Sequence, residues 1–293
     1  EIMPSLVGSE MCIRDRSKAV ATTPQYLFPN RMICGFGDTH PGYLNTNFFV
    51  RMIQNAQANG KKEQEDYFTA LLKCLNPGAG NEKAEKKNVR VSVNSFFEDK
   101  PLTLNPEVQA GKIEEYVSPL FHAPNVSWLV QRNGMDPRSS LMISQNGSEG
   151  NHMHANGISM ELYGKGYVLG PDAGIGLFLY SGLDYAEYYS QFPSHNTVCV
   201  DGISSYPVMK SNHSFELLSC FPASAEPGGE FTSVTYSNLY FREPESRADQ
   251  TRMMSIVTTA PETGYYVDVF RSRKEKGGDK MHCLLYTSPS PRD

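Results

Sequence analysis

The sequence predicts an α+β fold in which a helical domain precedes an antiparallel β-sandwich. Apolar residues recur at helical spacing between residues 44 and 75, and short runs of alternating apolar and polar residues begin near residue 127. Gly, Asn, Asp or Pro residues separate most of these runs. Helices followed by strands favour two domains over one α/β sheet, and 293 residues suffice for about two domains.

Two helices are predicted in the first domain. The first covers residues 44–59, where apolar side chains repeat at intervals of three and four, and Gly60 follows as a C-cap. The second covers residues 62–75 and stops at an Asn-Pro-Gly turn. The polar residues 78–90 are predicted to form a linker.

Eight strands are predicted in the second domain from their alternating pattern. They cover residues 127–131, 140–144, 158–163, 167–169, 197–200, 231–236, 251–258 and 264–271. Trp128, in the first of these strands, is expected to pack inside the sandwich rather than to stack on a sugar.

Composition excludes several classes of function. The formal net charge of -5 and the lack of a basic stripe argue against a nucleic-acid partner, although a locally basic cleft can still bind an anionic sugar polymer. No apolar run approaches the roughly 20 residues that a membrane span needs. The six cysteines contain no CxxC pair, so neither a zinc ribbon nor a disulfide framework is indicated.

Both ends of the chain look foreign to the protein. Residues 1–17 and 283–293 show no periodicity and resemble translated sequencing-adapter read-through. We therefore expect the native protein to be longer at both ends, with any signal peptide outside this sequence.

The densest chemistry lies in the sequence GNHMHANG, which contains His152 and His154. If this segment is extended, the two side chains point to the same side, because strand side chains alternate. Asp172 follows in a Gly-Pro-Asp-Ala-Gly turn, and His195 begins a His-Asn-Thr motif. Two histidines and one aspartate on neighbouring strands suit a zinc site that leaves a position for water or another ligand.

These motifs, in this order between residues 148 and 202, resemble the core of the heparinase II/III-like family of polysaccharide lyases, and the wider resemblance covers residues 26–282. The resemblance implies an incomplete (α/α) toroid joined to an antiparallel β-sandwich, with the active site in the cleft between them. Residues 18–115 would then be the end of the toroid with a linker. Residues 116–282 would be an incomplete sandwich domain.

The resemblance also implies roles for individual residues. His154, Asp172 and His195 match the family's metal ligands, usually to a zinc ion that braces the sheet. His152 matches a catalytic, substrate-binding histidine of the cleft, and Asn151 precedes it at the edge of the site.

A catalytic tyrosine is expected between the aspartate turn and the His-Asn-Thr strand. Tyr180 is the first choice, and Tyr185, Tyr188 and Tyr189 remain alternatives. Upstream, His40 could line the cleft and bind substrate, but a helix-entry role, with Asp38 near the N-cap, is the favoured interpretation.

The expected function is β-elimination on a uronic-acid polymer, with alginate as the leading substrate and heparan sulfate or another glycosaminoglycan as the alternative. Two other classes stay open: a zinc hydrolase and a non-catalytic carbohydrate-binding sandwich. The resemblance implies a periplasmic or secreted enzyme. Because the family's toroid tyrosine and its Asn or His partner would lie upstream, this chain alone is expected to be inactive.

Overall fold

The computed structural model describes residues 17–77, 103–176, 183–204, 206–207, 210–223, 225–275 and 281–284. The chain divides into two compact units. The first comprises Glu1–Pro24 and Asn45–Tyr116, and the second comprises Gln25–Leu44 and Val117–Asp293. Within the described residues, no helix is both long enough and apolar enough to cross a membrane.

The first unit contains two packed helices, α1 (Asn47–Ala58) and α2 (Lys62–Leu75). Their apolar stripes face each other, and the rings of Phe49 and Phe68 lie 6.3 Å apart. The prediction that α1 begins at residue 44 was wrong, because the side chain of Asn45 accepts a hydrogen bond from the Asn47 amide and forms a turn there. The predicted linker 78–90 lies outside the described residues.

The second unit is built on two antiparallel sheets. The five-stranded sheet has the order β1-β2-β3-β5-β6, with strands Leu120–Ala123, Trp128–Arg132, Met142–Asn146, Ser159–Gly164 and Tyr167–Val168. The four-stranded sheet has the order β12-β11-β10-β9, with strands Thr263–Arg273, Asp249–Ala260, Val234–Arg242 and Glu216–Phe221.

Two short antiparallel pairs complete the strands. β4 (Ser148–Asn151) pairs with β8 (Lys210–His213), and β7 (Val198–Val200) pairs with β13 (His282–Leu284). Cys283 and Leu284 of β13 belong to the segment predicted to be read-through, and that interpretation stays a prediction.

The two larger sheets share buried side chains. Leu129 of β2 packs in one cluster with Leu239 of β10, and Ile143 of β3 packs in another with Ile256 of β11. β10 alternates buried and less buried residues along its whole length, so that one face meets the opposite sheet. The predicted strand 231–236 was placed too early, because residues 229–233 are not in a strand and β10 starts at Val234.

The segment 25–44 lies against the five-stranded sheet. Trp128 is stacked between Tyr26 and Phe36, with ring centroids 4.0 and 4.3 Å apart, and its indole nitrogen donates to Ser144. Trp128 is buried as expected, but the prediction that it packs inside the sandwich was wrong: it packs with Phe28 and Phe36 on one face of β2, whereas Leu129, on the other face, meets the four-stranded sheet. This stacking fixes the segment that carries Asp38 onto the sheet that leads to the histidine motif.

Candidate metal centre and the adjoining histidine

The structure brings together the three residues predicted to hold a metal. His154 follows β4, Asp172 lies in the turn after β6, and His195 comes just before β7. All three side chains are buried, and one ligand atom from each lies within 4.8 Å of the others. The rings of the two histidines are 5.3 Å apart.

Two buried ring nitrogens of this group lack a hydrogen-bond partner among the described residues. They are Nδ1 of His154 and Nε2 of His195. The other nitrogen of His195, Nδ1, lies 2.9 Å from Oδ2 of Asp172. A buried polar atom without a partner is costly, and a bound cation would remove that cost. Two imidazole nitrogens and a carboxylate fit zinc, which leaves a further coordination position open.

The aspartate of this group is held by its neighbours. Burial opposes its ionisation, but the charge and hydrogen bond of His195 outweigh burial and lower the pKa of Asp172. Its Oδ1 accepts the Gly174 amide at 2.8 Å. Behind it, the buried Glu161 accepts the amides of Asp172 (2.9 Å) and Gly35 (2.6 Å). Burial and the nearby Asp172 charge raise the pKa of Glu161 well above its usual range.

Asp38 is a member of the site that the sequence did not predict. Its Oδ2 lies 2.9 Å from Nδ1 of His152, and its Oδ1 lies 3.1 Å from Nε2 of His154. The hydroxyl of Tyr185 also donates to Oδ1. Assigning Asp38 to a helix N-cap was wrong, because the helix starts only at Asn47 and Asp38 lies in a turn of the second unit.

The carboxyl group of Asp38 is ionised at neutral pH. Burial raises its pKa, but hydrogen bonds from His154, Tyr185 and His152 outweigh that effect and bring the pKa to about 2. A carboxylate only accepts hydrogen bonds, so the three neighbouring groups all act as donors.

The histidine motif does not continue as a strand. β4 ends at Asn151, and His152 has a left-handed backbone with φ of 60°. The assumption of an extended segment was therefore wrong. His152 and His154 nevertheless converge, because each contacts a different oxygen of the same Asp38 carboxylate. The side chain of His152 is 63% exposed, whereas that of His154 is fully buried.

The remaining predicted residues are less closely tied to this cluster. Tyr180 lies outside the described residues, and of its alternatives Tyr185 is the one that contacts Asp38, with its ring 5.7 Å from that of His154. Asn151 is exposed at the end of β4, and His40 is exposed two residues after Asp38.

Comparisons with known proteins find two domain families and several polysaccharide lyases to which this chain is similar. Residues 15–116 match the family model described as the second domain of endo-acting ulvan lyase. The chain is 25% identical over 265 residues to the endo-acting ulvan lyase of Formosa agariphila. The alignment covers 84% of this chain and 32% of that protein. This chain therefore spans about a third of the length of that relative.

The fold is similar to that of a solved heparinase III, the BT4657 gene product. The TM-score is 0.54 at 14% identity, over 92% of this chain and 33% of that one. Residues 117–266, just over half of this sequence, match the model described as the C-terminal domain of heparinase II/III-like proteins. With the buried histidines and aspartate in that matched region, the chain belongs to the heparinase II/III-like family.

Proposed function

We propose that the full-length protein is a polysaccharide lyase that cleaves a uronic-acid-containing polymer by β-elimination. The observation that supports this most is the exposed ring of His152, which is anchored through Nδ1 by Asp38 beside a buried candidate metal centre. An anchored imidazole with one nitrogen facing solvent is suited to proton transfer with a bound substrate.

The reaction sets two requirements for the site. A base must remove the C5 proton, which lies α to the uronate carboxylate, and an acid must protonate the departing O4 oxygen. Donors must also stabilise the charge that builds on the carboxylate as the carbanion forms. We assign His152 to proton transfer or to binding of the uronate carboxylate, with Asn151 at the exposed end of β4 as a second donor to that carboxylate.

Tyrosine is a poor base at its free pKa of about 10. The hydroxyl of Tyr185 donates a hydrogen bond to Asp38. This contact supports a role for Tyr185 in holding the Asp38 carboxylate rather than in accepting a proton from the substrate. Tyr180 remains our candidate for the catalytic tyrosine of the sandwich domain, and His40 our candidate for a further substrate contact.

We propose that His154, Asp172 and His195 hold zinc. The unpartnered nitrogens of the two histidines support this assignment. Bound zinc would join the segments after β4 and β6 to the segment before β7, and so act as a structural brace. The proton transfers are then assigned to side chains of the protein. His152 is exposed and can reach the substrate, whereas His154 is buried beside the candidate metal centre.

Ulvan is our leading substrate, because both the matched second-domain model and the curated relative are named for ulvan lyase. Alginate, which the sequence alone favoured, and heparan sulfate, which fits the heparinase likeness, are the alternatives. We further propose that the complete protein joins an (α/α) toroid to a β-sandwich and acts in the periplasm or outside the cell, where polymers of this size occur.

The test uses the full-length protein with ulvan, alginate and heparan sulfate, and follows the ultraviolet absorbance of the unsaturated uronate. We expect absorbance to rise with one polymer, about one zinc per chain, and loss of turnover but not of zinc in His152→Ala. The variant His195→Ala should lose zinc, which provides the matched control for the metal assignment.

Other outcomes would identify the rival classes. New reducing ends without added absorbance would indicate hydrolysis, and binding without cleavage would indicate a carbohydrate-binding module. Turnover that His152→Ala leaves intact would contradict the assigned role of that histidine.

A further inference from the structure

A single carboxylate connects the candidate metal centre to the exposed histidine. Oδ1 of Asp38 contacts Nε2 of the buried His154, and Oδ2 contacts Nδ1 of the exposed His152. The carboxylate is mostly shielded, with its side chain 11% exposed. The two contacts of Asp38 span the boundary between a buried site and solvent.

The proton positions of both rings follow from these contacts. An ionised carboxylate has no proton to give, so His152 must carry hydrogen on Nδ1 and His154 on Nε2. In a neutral imidazole the other nitrogen then holds a lone pair. For His154 that atom is the buried, unpartnered Nδ1, and for His152 it is Nε2 of a largely exposed ring.

The backbone holds Asp38 in place for this task. The Asp38 amide donates to the carbonyl of His152 at 3.1 Å, so backbone and side chain both bind the same residue. Gly37 makes this approach possible, because it has φ of +51° and a Cβ at that position would lie 2.3 Å from the same carbonyl. The turn is closed by the Phe36 amide, which donates to the Thr39 hydroxyl.

A purely structural role for Asp38 does not explain why its Oδ2 contacts His152. Bracing the metal ligand needs only the contact between Oδ1 and His154. A hydrogen bond to a side chain that is largely exposed competes with water, so the contact with His152 adds little to folding. The orientation of His152 is the property that this contact changes most.

We propose that Asp38 is a positioning residue that fixes His152 in the Nδ1–H tautomer, with Nε2 presented to the substrate, while it orients the metal ligand His154. This inference rests on the proposed lyase function for its catalytic consequence. The tautomer itself is a property of the protein without substrate.

The decisive variant is Asp38→Asn in the full-length, zinc-loaded protein. The amide keeps the shape of the side chain but replaces one acceptor oxygen with an NH2 donor, so one of the two histidines must face a donor. We expect kcat to fall about 10- to 100-fold, in the range of other residues that orient a ligand or catalytic group, with KM changed less than kcat. Zinc content should stay near that of the wild type at saturating zinc.

Nitrogen-15 NMR of labelled histidine reports which ring nitrogen of His152 carries hydrogen. A purely structural role for Asp38 would leave this property unchanged. In the wild type, at a pH high enough for the ring to be neutral, the His152 signals, assigned by their loss in His152→Ala, should show hydrogen on Nδ1 and none on Nε2. In Asp38→Asn they should shift towards the other tautomer. As a matched control, Asp136→Asn alters an exposed aspartate whose side chain, among the described residues, accepts only from its own turn, and it should change neither kcat nor the spectrum.

The outcomes separate this inference from the proposed function. A neutral wild-type His152 with its hydrogen on Nε2 instead of Nδ1, or an Asp38→Asn enzyme with unchanged kcat, would overturn the role of Asp38. If Asp38→Asn does not fold, the wild-type spectrum alone decides the question. Absence of turnover on every polymer, together with the expected wild-type tautomer, would refute the lyase proposal and leave the positioning role standing.

Discussion

Glycine at two positions allows the segment that carries Asp38 to reach the aspartate turn. A Cβ at Gly35 would lie 2.5 Å from Cβ of Asp172, and a Cβ at Gly174 would lie 1.9 Å from the carbonyl oxygen of Thr39. Neither distance is compatible with a side chain in that position. Any residue larger than glycine must therefore push the candidate metal ligand away from this segment.

We expect Gly35→Ala to weaken zinc binding and to lower the free energy of unfolding by about 1–3 kcal/mol, the usual cost of overpacking. The cause is steric, since the added methyl group would meet Asp172 and also approach Glu161 at 3.2 Å. Gly42→Ala is the matched control, because the nearest atom to its Cβ would be the His40 oxygen at 3.9 Å. Chelator competition and urea unfolding measure the two effects. Equal zinc affinity in both variants would contradict this account.

At this scale the sequence showed which residues carry unusual chemistry but not how they contact one another. Spacing and motif singled out the histidines and Asp172, which the structure brings together, although their metal remains a prediction. Asp38 was missed because it is 114 positions from His152 and its pairing depends on the tertiary fold. One signal was present: Asp38 is the only acidic residue between positions 17 and 60, and it directly follows a glycine.

Among the secondary-structure elements, β11 holds the segment that contains His195 through one buried arginine. Arg252 of β11 is fully buried, and its Nη1 donates to the carbonyls of Ile158 (2.9 Å) and Asn196 (2.6 Å). Its Nε and Nη2 pair with both oxygens of Asp268 on β12, at 3.0 and 2.7 Å. One guanidinium group thus joins two strands of the four-stranded sheet to the residue that follows the candidate ligand.

We expect Arg252→Leu to destabilise the protein by about 3–5 kcal/mol, because it leaves the Asp268 carboxylate and two carbonyl groups without their donor. Arg242→Leu is a fitting control. Arg242 lies on the neighbouring β10 and pairs with Asp249 at 3.2 Å, but both side chains are exposed, so the loss should be about 0–1 kcal/mol. Urea unfolding measures both changes. A cost for Arg252→Leu no greater than that of the control would refute the role given to this arginine.

Strands were predicted where one face is buried and the alternation is visible. β10 alternates without interruption, and β11 alternates over much of its length, so their positions were found even though their ends were not. β4 reads Ser-Glu-Gly-Asn and β8 reads Lys-Ser-Asn-His, and neither has a periodic apolar face. Such a polar ribbon depends on its pairing partner rather than on its own pattern, which explains why it was not predicted.

In the molecule as a whole, residues 25–44 do not belong to the same compact unit as their neighbours in sequence. Sequence order grouped this segment with the helices, in residues 18–115, whereas in the structure it belongs to the unit of the sheets. The reason is its buried apolar side chains: Phe28, Cys34 and Phe36 pack in one cluster with Trp128. A local pattern reports that such residues are buried, but not against which domain they are buried.

Acid sensitivity of the whole fold provides the last prediction, and it centres on His213. This histidine is fully buried among aromatic rings, and its Nδ1 accepts the Gly157 amide at 3.0 Å. Burial, together with the charge of His195, lowers its pKa to about 3. An unfolded histidine titrates near 6.5, so between these two values the unfolded chain binds the extra proton. Stability from this group is therefore present above about pH 6.5 and is lost as pH falls towards 3, by up to about 1.4 kcal/mol per pH unit.

The variant His213→Gln isolates this effect, since glutamine keeps an acceptor but has no group that titrates in this range. It should be less stable than the wild type at pH 8, and its free energy of unfolding should fall less steeply between pH 7 and 5. Urea unfolding across that range measures both slopes, and comparison of the two proteins cancels whatever they share, including acid release of bound zinc. Parallel slopes would mean that His213 takes up its proton over the same pH range in the folded and unfolded protein, which its hydrogen bond from Gly157 and its aromatic surroundings argue against.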